Sequence, residues 1–142
     1  MVTLTDGPII YIDDDEDDQF LFEQMLKELG LINKVRPFSD GQNALDYLKT
    51  TSDKPLLILC DLNMPMMNGI ELHKHIDDDP YLKQKSIPFI FYTTAAGPEQ
   101  VRQAYKGTVQ GFHAKAQDLS EYRAQINLII TYWKACLHPN NF

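Results

Sequence analysis

The 142-residue sequence has few of the features expected of a secreted, membrane-spanning or nucleic-acid-binding protein. Its only two cysteines, Cys60 and Cys136, are far apart, which is typical of reduced thiols rather than of a disulfide framework. Neither a signal peptide nor an apolar stretch of about 18 residues is present, so no membrane span is expected. There is no basic run and the net charge is −7, which argues against nucleic acid and anionic membranes as partners. We therefore expect a cytoplasmic protein.

Repeats, linkers and low-complexity segments are also missing, so nothing in the sequence divides the chain into parts. The composition, 44% hydrophobic and 23% charged, is that of a folded globular protein. At this length the sequence predicts a single domain over residues 1–142, with no second domain.

The sequence does contain a regular alternation of short apolar runs with amphipathic stretches. The runs are PIIYI (8–12), VRPF (35–38), PLLILC (55–60), PFIFYT (88–93) and GFHAK (111–115). Runs that are apolar on both faces are typical of parallel strands covered by helices on each side. The alternation predicts an α/β fold, a doubly wound five-stranded parallel sheet with five helices.

Polar residues follow four of the predicted strands. Asp13 and Asp14 follow the first strand, Asp61 the third, Thr93 ends the fourth, and Lys115 follows the fifth. In open parallel sheets, ligands bind outside the carboxyl ends of the strands. Three carboxylates there would form an oxygen-lined site for a hard divalent cation, for which Mg²⁺ is the natural candidate. The hydroxyl and the ammonium group would receive an anion, and a phosphoryl group fits best.

The remaining acidic residues have simpler explanations. Asp15, Glu16, Asp17 and Asp18 stand where the first helix should begin. Acidic residues in that position cap free N–H groups and interact favourably with the helix dipole, so we do not expect them to bind a ligand. The acidic residues 77–79 are expected to form a solvated loop before Pro80.

The order and spacing of these motifs resemble those of the receiver domain of two-component response regulators. The resemblance covers nearly the whole chain. It is carried by the Asp13-Asp14 pair, the CDLNMPMMNG loop around Asp61, the IPFIFYTT strand and the lysine of GFHAK. It implies a flavodoxin-like sheet with the strand order 2-1-3-4-5. The C-terminal stretch ITYWKACLHPNNF (130–142) is similar to that of receivers serving phytochrome-type photoreceptor kinases.

The resemblance implies a role for each residue of the site. Asp61 would accept a phosphoryl group from a histidine kinase or a histidine phosphotransfer protein. Mg²⁺, for which Mn²⁺ can substitute, would be held by Asp13, Asp14, Asp61 and the backbone carbonyl of Asn63. Apart from gaining and losing this group the protein would not be an enzyme, and it would act on an output partner that the sequence does not name.

The resemblance also implies a switch. Thr93 and Lys115 would contact the phosphoryl oxygens, and movement of Thr93 would open space into which Phe112 can turn. The face built from residues 97–106, the fifth strand and the last helix would then change and bind a partner or a second copy. Its apolar candidates are Val101, Tyr105, Tyr122 and Trp133.

Two positions depart from the usual receiver pattern. Ala116 follows the lysine where the family usually has a proline, often with a cis peptide bond, so a trans bond and a differently shaped loop are expected. Phe112 stands where tyrosine is frequent, and it has no hydroxyl to bond when it faces outward. Both changes affect signal relay rather than phosphorylation.

Two other functions remain open at this stage. A Mg²⁺-dependent phosphatase or phosphotransferase can also use an aspartyl nucleophile. Haloacid dehalogenase-like phosphatases, however, place this nucleophile after the first strand and have a second aspartate two positions later. In this chain the best acceptor, Asp61, follows the third strand, and the residue two positions later is Asn63. A degenerate receiver that never gains phosphate would act only as an interaction module. The complete acidic set and Lys115 argue against it.

Overall fold

Residues 5–94 and 96–137 are described by the structure, which is a computed structural model. The strands are β1 (Ile9–Ile12), β2 (Val35–Phe38), β3 (Leu57–Cys60), β4 (Phe89–Thr93) and β5 (Gly111–Ala114). The helices are α1 (Glu16–Glu28), α2 (Gly41–Thr50), α3 (Gly69–Asp78), α4 (Pro80–Lys85), α5 (Pro98–Tyr105) and α6 (Leu119–Ala135). Strands and helices alternate as the sequence predicts, apart from the additional helix α4.

The five strands form one parallel sheet in the order β2-β1-β3-β4-β5, which confirms the predicted fold. Successive side chains of a strand point to opposite faces, so each central strand supplies two cores. Ile9 and Tyr11 belong to the first core cluster, which is formed with α1 and α6. Ile10 and Ile12 belong to the second core cluster, which lies on the other face and is formed with α2, α3, α4 and α5. This double burial explains why the strand sequences are apolar without interruption.

Helix α4 is the main difference from the predicted fold, since the described residues contain six helices where five were expected. The chain does break at Asp79, but this residue also caps the next helix. Its carboxylate accepts hydrogen bonds from the N–H groups of Tyr81 (2.9 Å) and Leu82 (3.3 Å). Pro80 takes the first helical position, where its missing N–H costs nothing, and Leu82 packs into the second core cluster.

The expected solvated loop at residues 77–79 is therefore wrong. Asp77 lies in the last turn of α3, where it accepts a hydrogen bond from Thr108 (3.0 Å) and lies 3.8 Å from Lys83. At the C-terminus, α6 ends at Ala135, and residues 138–142 of the stretch 130–142 lie outside the described residues. Within the described ranges, no helix combines the length and the apolar character needed to cross a membrane.

Candidate functional site

The predicted site residues lie together at the carboxyl edge of the sheet. Asp13 and Asp14 follow β1, Asp61 follows β3, Thr93 is the last residue of β4, and Lys115 follows β5. All strands run in the same direction, so these positions come to one edge although they span more than 100 residues of sequence. In the register of β4 and β5, Thr93 pairs with Ala114. The backbone N–H of Lys115 donates a hydrogen bond to the Thr93 carbonyl (2.8 Å).

Three carboxylates converge there. One oxygen each from Asp13, Asp14 and Asp61 lies within 4.8 Å of the other two. Two like charges about 4 Å apart repel by roughly 4 kcal/mol near a protein surface, so the cluster is unfavourable without a cation. Hard oxygen ligands that lie this close, with Asp14 exposed and Asp61 half-buried, fit a divalent ion that retains some of its water.

The loop after β3 is shaped to present Asp61. Gly69 begins α3 so close to this residue that a Cβ there would lie only 2.4 Å from the Asp61 carbonyl oxygen, so only glycine fits. Asn68 and Glu71 form a capping box at the same helix end. The exposed side chain of Asn63 accepts a hydrogen bond from Gln100 Nε2 of α5 (3.4 Å). The backbone N–H of Asn63 donates to Asp61 Oδ1 (3.4 Å).

Asp13 is the buried member of the carboxylate group, with 1% of its surface exposed. Its Oδ1 accepts a hydrogen bond from the Asp15 N–H (2.9 Å). Its Oδ2 accepts from both the Tyr11 hydroxyl (3.3 Å) and Lys115 (2.5 Å). Burial raises the pKa of Asp13 above its ordinary value, and the hydrogen bond from Lys115 offsets this only in part.

Lys115 is bound by two carboxylates. Its Nζ lies 2.5 Å from Asp13 Oδ2 and 2.9 Å from Asp18 Oδ2, and its side chain is 8% exposed. Burial alone would lower the pKa of Lys115, but the hydrogen bonds to Asp13 and Asp18 raise it above its ordinary value. The ammonium group is thus charged in the site.

The helix-capping explanation of the acidic residues 15–18 is confirmed for Asp15 and incomplete for Asp18. The Asp15 carboxylate accepts from the N–H groups of Asp17 (2.9 Å) and Asp18 (3.3 Å). Asp18, in the first turn of α1, binds Lys115 as well. Its position one turn after Asp14 was the only sequence signal that could have placed it beside the site.

Thr93 and Phe112, the two residues predicted to act as a switch, lie at or near the carboxyl edge of the sheet. Thr93 is fully buried, and its hydroxyl has no hydrogen-bond partner among the described residues. Buried hydroxyl groups normally have partners, so a hydroxyl that has none among the described residues can donate to a ligand oxygen at the sheet edge. The ring of Phe112 is partly buried against the second core cluster, 5.7 Å from the ring of Phe91.

The loop after Lys115 is built around Ala116 and Gln125. The described residues contain no cis peptide bond, so the expected trans bond at Ala116 is confirmed. The N–H that a proline would lack donates to Gln125 Oε1 (3.2 Å). The same oxygen accepts from the Tyr92 hydroxyl (2.7 Å), and Gln125 Nε2 donates to the Ala114 carbonyl (2.6 Å). Sequence reasoning did not predict these three hydrogen bonds of Gln125, which link β4, β5 and α6 beside the site.

The chain matches the family model described as the response regulator receiver domain over residues 9–127. It belongs to the response regulator receiver domain family. The chemotaxis protein CheY-3 of Vibrio cholerae is 33% identical over 107 residues, which cover 75% of this chain and 78% of CheY-3. Response regulator Rcp1 of Synechocystis sp. is 28% identical over 130 residues, covering 88% of this chain and 87% of Rcp1.

Solved structures show the same relationship. The phosphorylated cyanobacterial phytochrome response regulator RcpA has a TM-score of 0.84 with this chain at 27% identity, covering 94% of this chain and 98% of RcpA. The Mn²⁺-bound form of Rcp1 has a TM-score of 0.79 at 26% identity, with coverage of 92% and 96%. The predicted resemblance to receiver domains is thereby confirmed, and the chain is a response regulator receiver of two-component signalling that is similar to the phytochrome response regulators Rcp1 and RcpA.

Proposed function

We propose that Asp61 accepts a phosphoryl group from a histidine kinase or a histidine phosphotransfer protein, and that the modified chain binds an output partner. The convergence of Asp61 with two further carboxylates, an ammonium group and a buried hydroxyl that has no hydrogen-bond partner among the described residues supports this best. We also propose that this transfer takes place in the cytoplasm, the location expected from the sequence.

The chemistry of the transfer follows from the residues at the sheet edge. An oxygen of the Asp61 carboxylate forms a new O–P bond while the P–N bond of the phosphohistidine breaks, and the imidazole nitrogen keeps the bonding electron pair. Lys115 and the Thr93 hydroxyl would then contact the phosphoryl oxygens. Transfer of this kind depends on positioning and charge compensation, which these groups would supply.

The carboxylates of Asp13, Asp14 and Asp61 and the backbone carbonyl of Asn63 would hold a Mg²⁺ ion, or a Mn²⁺ ion as in the Rcp1 structure. When bound, the ion would offset the negative charge on the attacking and transferring oxygens. Asp13, already bound to Tyr11, Asp15 and Lys115, would reach the ion largely through water.

Acetyl phosphate tests the assignment of the acceptor. With Mg²⁺ present, we expect intact-mass spectrometry to show one added phosphoryl group on the wild-type protein and none on Asp61→Asn. Asparagine keeps the shape of the side chain but loses the nucleophilic oxygen. Chelation of the metal with EDTA should also abolish labelling. Equal labelling of wild type and Asp61→Asn would show that the acceptor is misassigned.

The same preparation tests the phosphatase alternative. A phosphatase would release phosphate repeatedly from a simple aryl phosphate, whereas a receiver would gain and lose one group at Asp61. We expect no turnover of p-nitrophenyl phosphate under conditions in which acetyl phosphate labels the protein. Multiple turnovers that depend on Asp61 would support the phosphatase instead.

A further inference from the structure

The ammonium group of Lys115 forms its ion pairs with carboxylates other than that of Asp61. Its two ion pairs within the described residues are with Asp13 and Asp18, both on the α1 side of the site. No salt bridge joins it to Asp61 among those residues. An ammonium group has three N–H donors, and two of those of Lys115 are directed to Asp13 and Asp18. Movement of Lys115 towards a phosphoryl group on Asp61, as the proposed function requires, would compete with these two ion pairs.

These two partners differ in how their charge would be compensated after Lys115 moves. Asp13 belongs to the carboxylate cluster, so its charge is shared with any cation bound there. It also keeps the hydrogen bonds from Tyr11 and Asp15. Asp18 lies outside that cluster, and its side chain is 31% exposed. A cation at the site would therefore weaken the attraction of Asp13 for Lys115 and leave that of Asp18 in place.

We propose that Asp18 is a positioning residue that retains Lys115 in the phosphate-free site and opposes its transfer to a phosphoryl group on Asp61. This inference rests on the proposed function of Asp61 as the acceptor. Asp18 thereby sets the affinity of the site for phosphoryl through Lys115, without touching the phosphoryl group or the cation itself. The contact also ties the first turn of α1 to the loop after β5, across 97 positions of sequence.

Substitution of Asp18 separates this role from a general effect of charge. Asp18→Asn keeps the shape of the side chain and removes its charge. Asp17→Asn, exposed in the same turn of α1, removes the same charge where no contact with Lys115 is lost. Asp18→Glu keeps the charge on a longer side chain, and we expect it to restore the contact and the wild-type affinity.

The affinity for beryllofluoride, which stands in for a phosphoryl group on aspartate, is measured at saturating Mg²⁺. The side chain of Asp18 is partly exposed, and ion pairs at such positions are weak. We therefore expect Asp18→Asn to bind beryllofluoride about fivefold more tightly than Asp17→Asn does. Asp18→Asn that binds as Asp17→Asn does, or more weakly, would overturn the proposal. Failure of the wild type to bind beryllofluoride at all would contradict the proposed function, and this inference with it.

A second readout follows Lys115 directly. In the Mg²⁺-loaded protein without beryllofluoride, the ¹⁵N-labelled Lys115 ammonium group is observed by NMR. We expect Asp18→Asn to shift this signal or to broaden it by faster exchange with water, and Asp17→Asn to leave it unchanged. An unchanged Lys115 signal in Asp18→Asn would show that the carboxylate does not retain the lysine, whatever happens to the affinity.

Discussion

The Thr93 hydroxyl lies fully buried at the end of β4 without a hydrogen-bond partner among the described residues. A buried polar group without a partner costs about 1–3 kcal/mol. We therefore expect Thr93→Val to raise the free energy of unfolding of the unliganded protein by about 1 kcal/mol, as measured by chemical denaturation. The same variant should bind beryllofluoride more weakly, because the hydroxyl donor is lost.

Thr93→Ser is the matched control for binding, because it keeps the hydroxyl group. It should retain more of the beryllofluoride affinity than Thr93→Val. A Thr93→Val protein that is less stable than wild type and binds beryllofluoride equally well would contradict the role given to the hydroxyl.

His73 provides a second prediction at the residue scale, this time for stability. Its imidazole is 8% exposed, edge-on to Phe89, with ring centroids 4.9 Å apart. Burial lowers the pKa of His73 below its ordinary value, and the nearby Asp77 offsets this in part. As pH falls below about 6.5 the unfolded chain takes up the proton first, so stability falls until the lower pKa of the folded state is passed.

The test compares wild type with His73→Gln by urea denaturation at several pH values. The difference in unfolding free energy should narrow as pH falls from about 7.5 towards 5, because only the wild type loses the contribution of neutral His73. His75→Gln, an exposed position on the same helix, controls for removal of an imidazole. A difference between wild type and His73→Gln that stays constant over this range would contradict the explanation.

Sequence reasoning located the site residues that end strands and missed those that reach it from elsewhere. Asp13, Asp14 and Asp61 were predictable because their strands are apolar runs whose carboxyl ends must meet. Asp18 was assigned to helix capping alone, since a residue in the first turn of a helix has a sufficient local explanation. Its contact with Lys115 depends on where β5 lies in the folded sheet.

At the scale of elements, the same limit explains helix α4. Asp79 and Pro80 signal both the end of one helix and the start of another, and the segment between α3 and β4 is short. What makes that segment helical is the burial of Leu82 in the second core cluster, a tertiary contact that local spacing does not reveal. Longer helices such as α1 and α6, with several buried positions each, were predicted without difficulty.

The loop between β5 and α6 gives a prediction at this scale. Ala116→Pro would remove the N–H that donates to Gln125, and Gln125 would keep its hydrogen bonds with Tyr92 and Ala114. Loss of one such hydrogen bond should lower the free energy of unfolding by about 1 kcal/mol, measured by thermal or chemical denaturation. Ala116→Ser keeps the N–H and serves as the control. Equal stability of the two variants would show that this hydrogen bond does not hold the loop.

On the scale of the whole molecule, β5 of the proposed output face lies two strands away from β3, the strand that Asp61 follows. Residues 97–106, β5 and α6 were expected to form that face. Of its apolar candidates, Tyr105 is 52% exposed, but Tyr122 is 5% exposed and belongs to the first core cluster. Leu128 and Tyr132 of α6 are instead 64% and 58% exposed, which the sequence analysis did not foresee. Helical periodicity alone did not separate the buried from the exposed apolar positions of α6.

We propose that a phosphoryl group on Asp61 changes this face through Thr93 and Phe112. Movement of the buried Thr93 hydroxyl towards the group would open space behind β4, next to the partly buried ring of Phe112. Packed interiors change between discrete arrangements, so a small shift there can move α5 and β5 together. Hydrogen exchange with and without beryllofluoride should therefore differ across residues 97–125, and Asp61→Asn should show no difference. Changes confined to the loops that carry Asp13, Asp61 and Lys115, with unaltered protection across α5 and β5, would show that the signal does not reach this face.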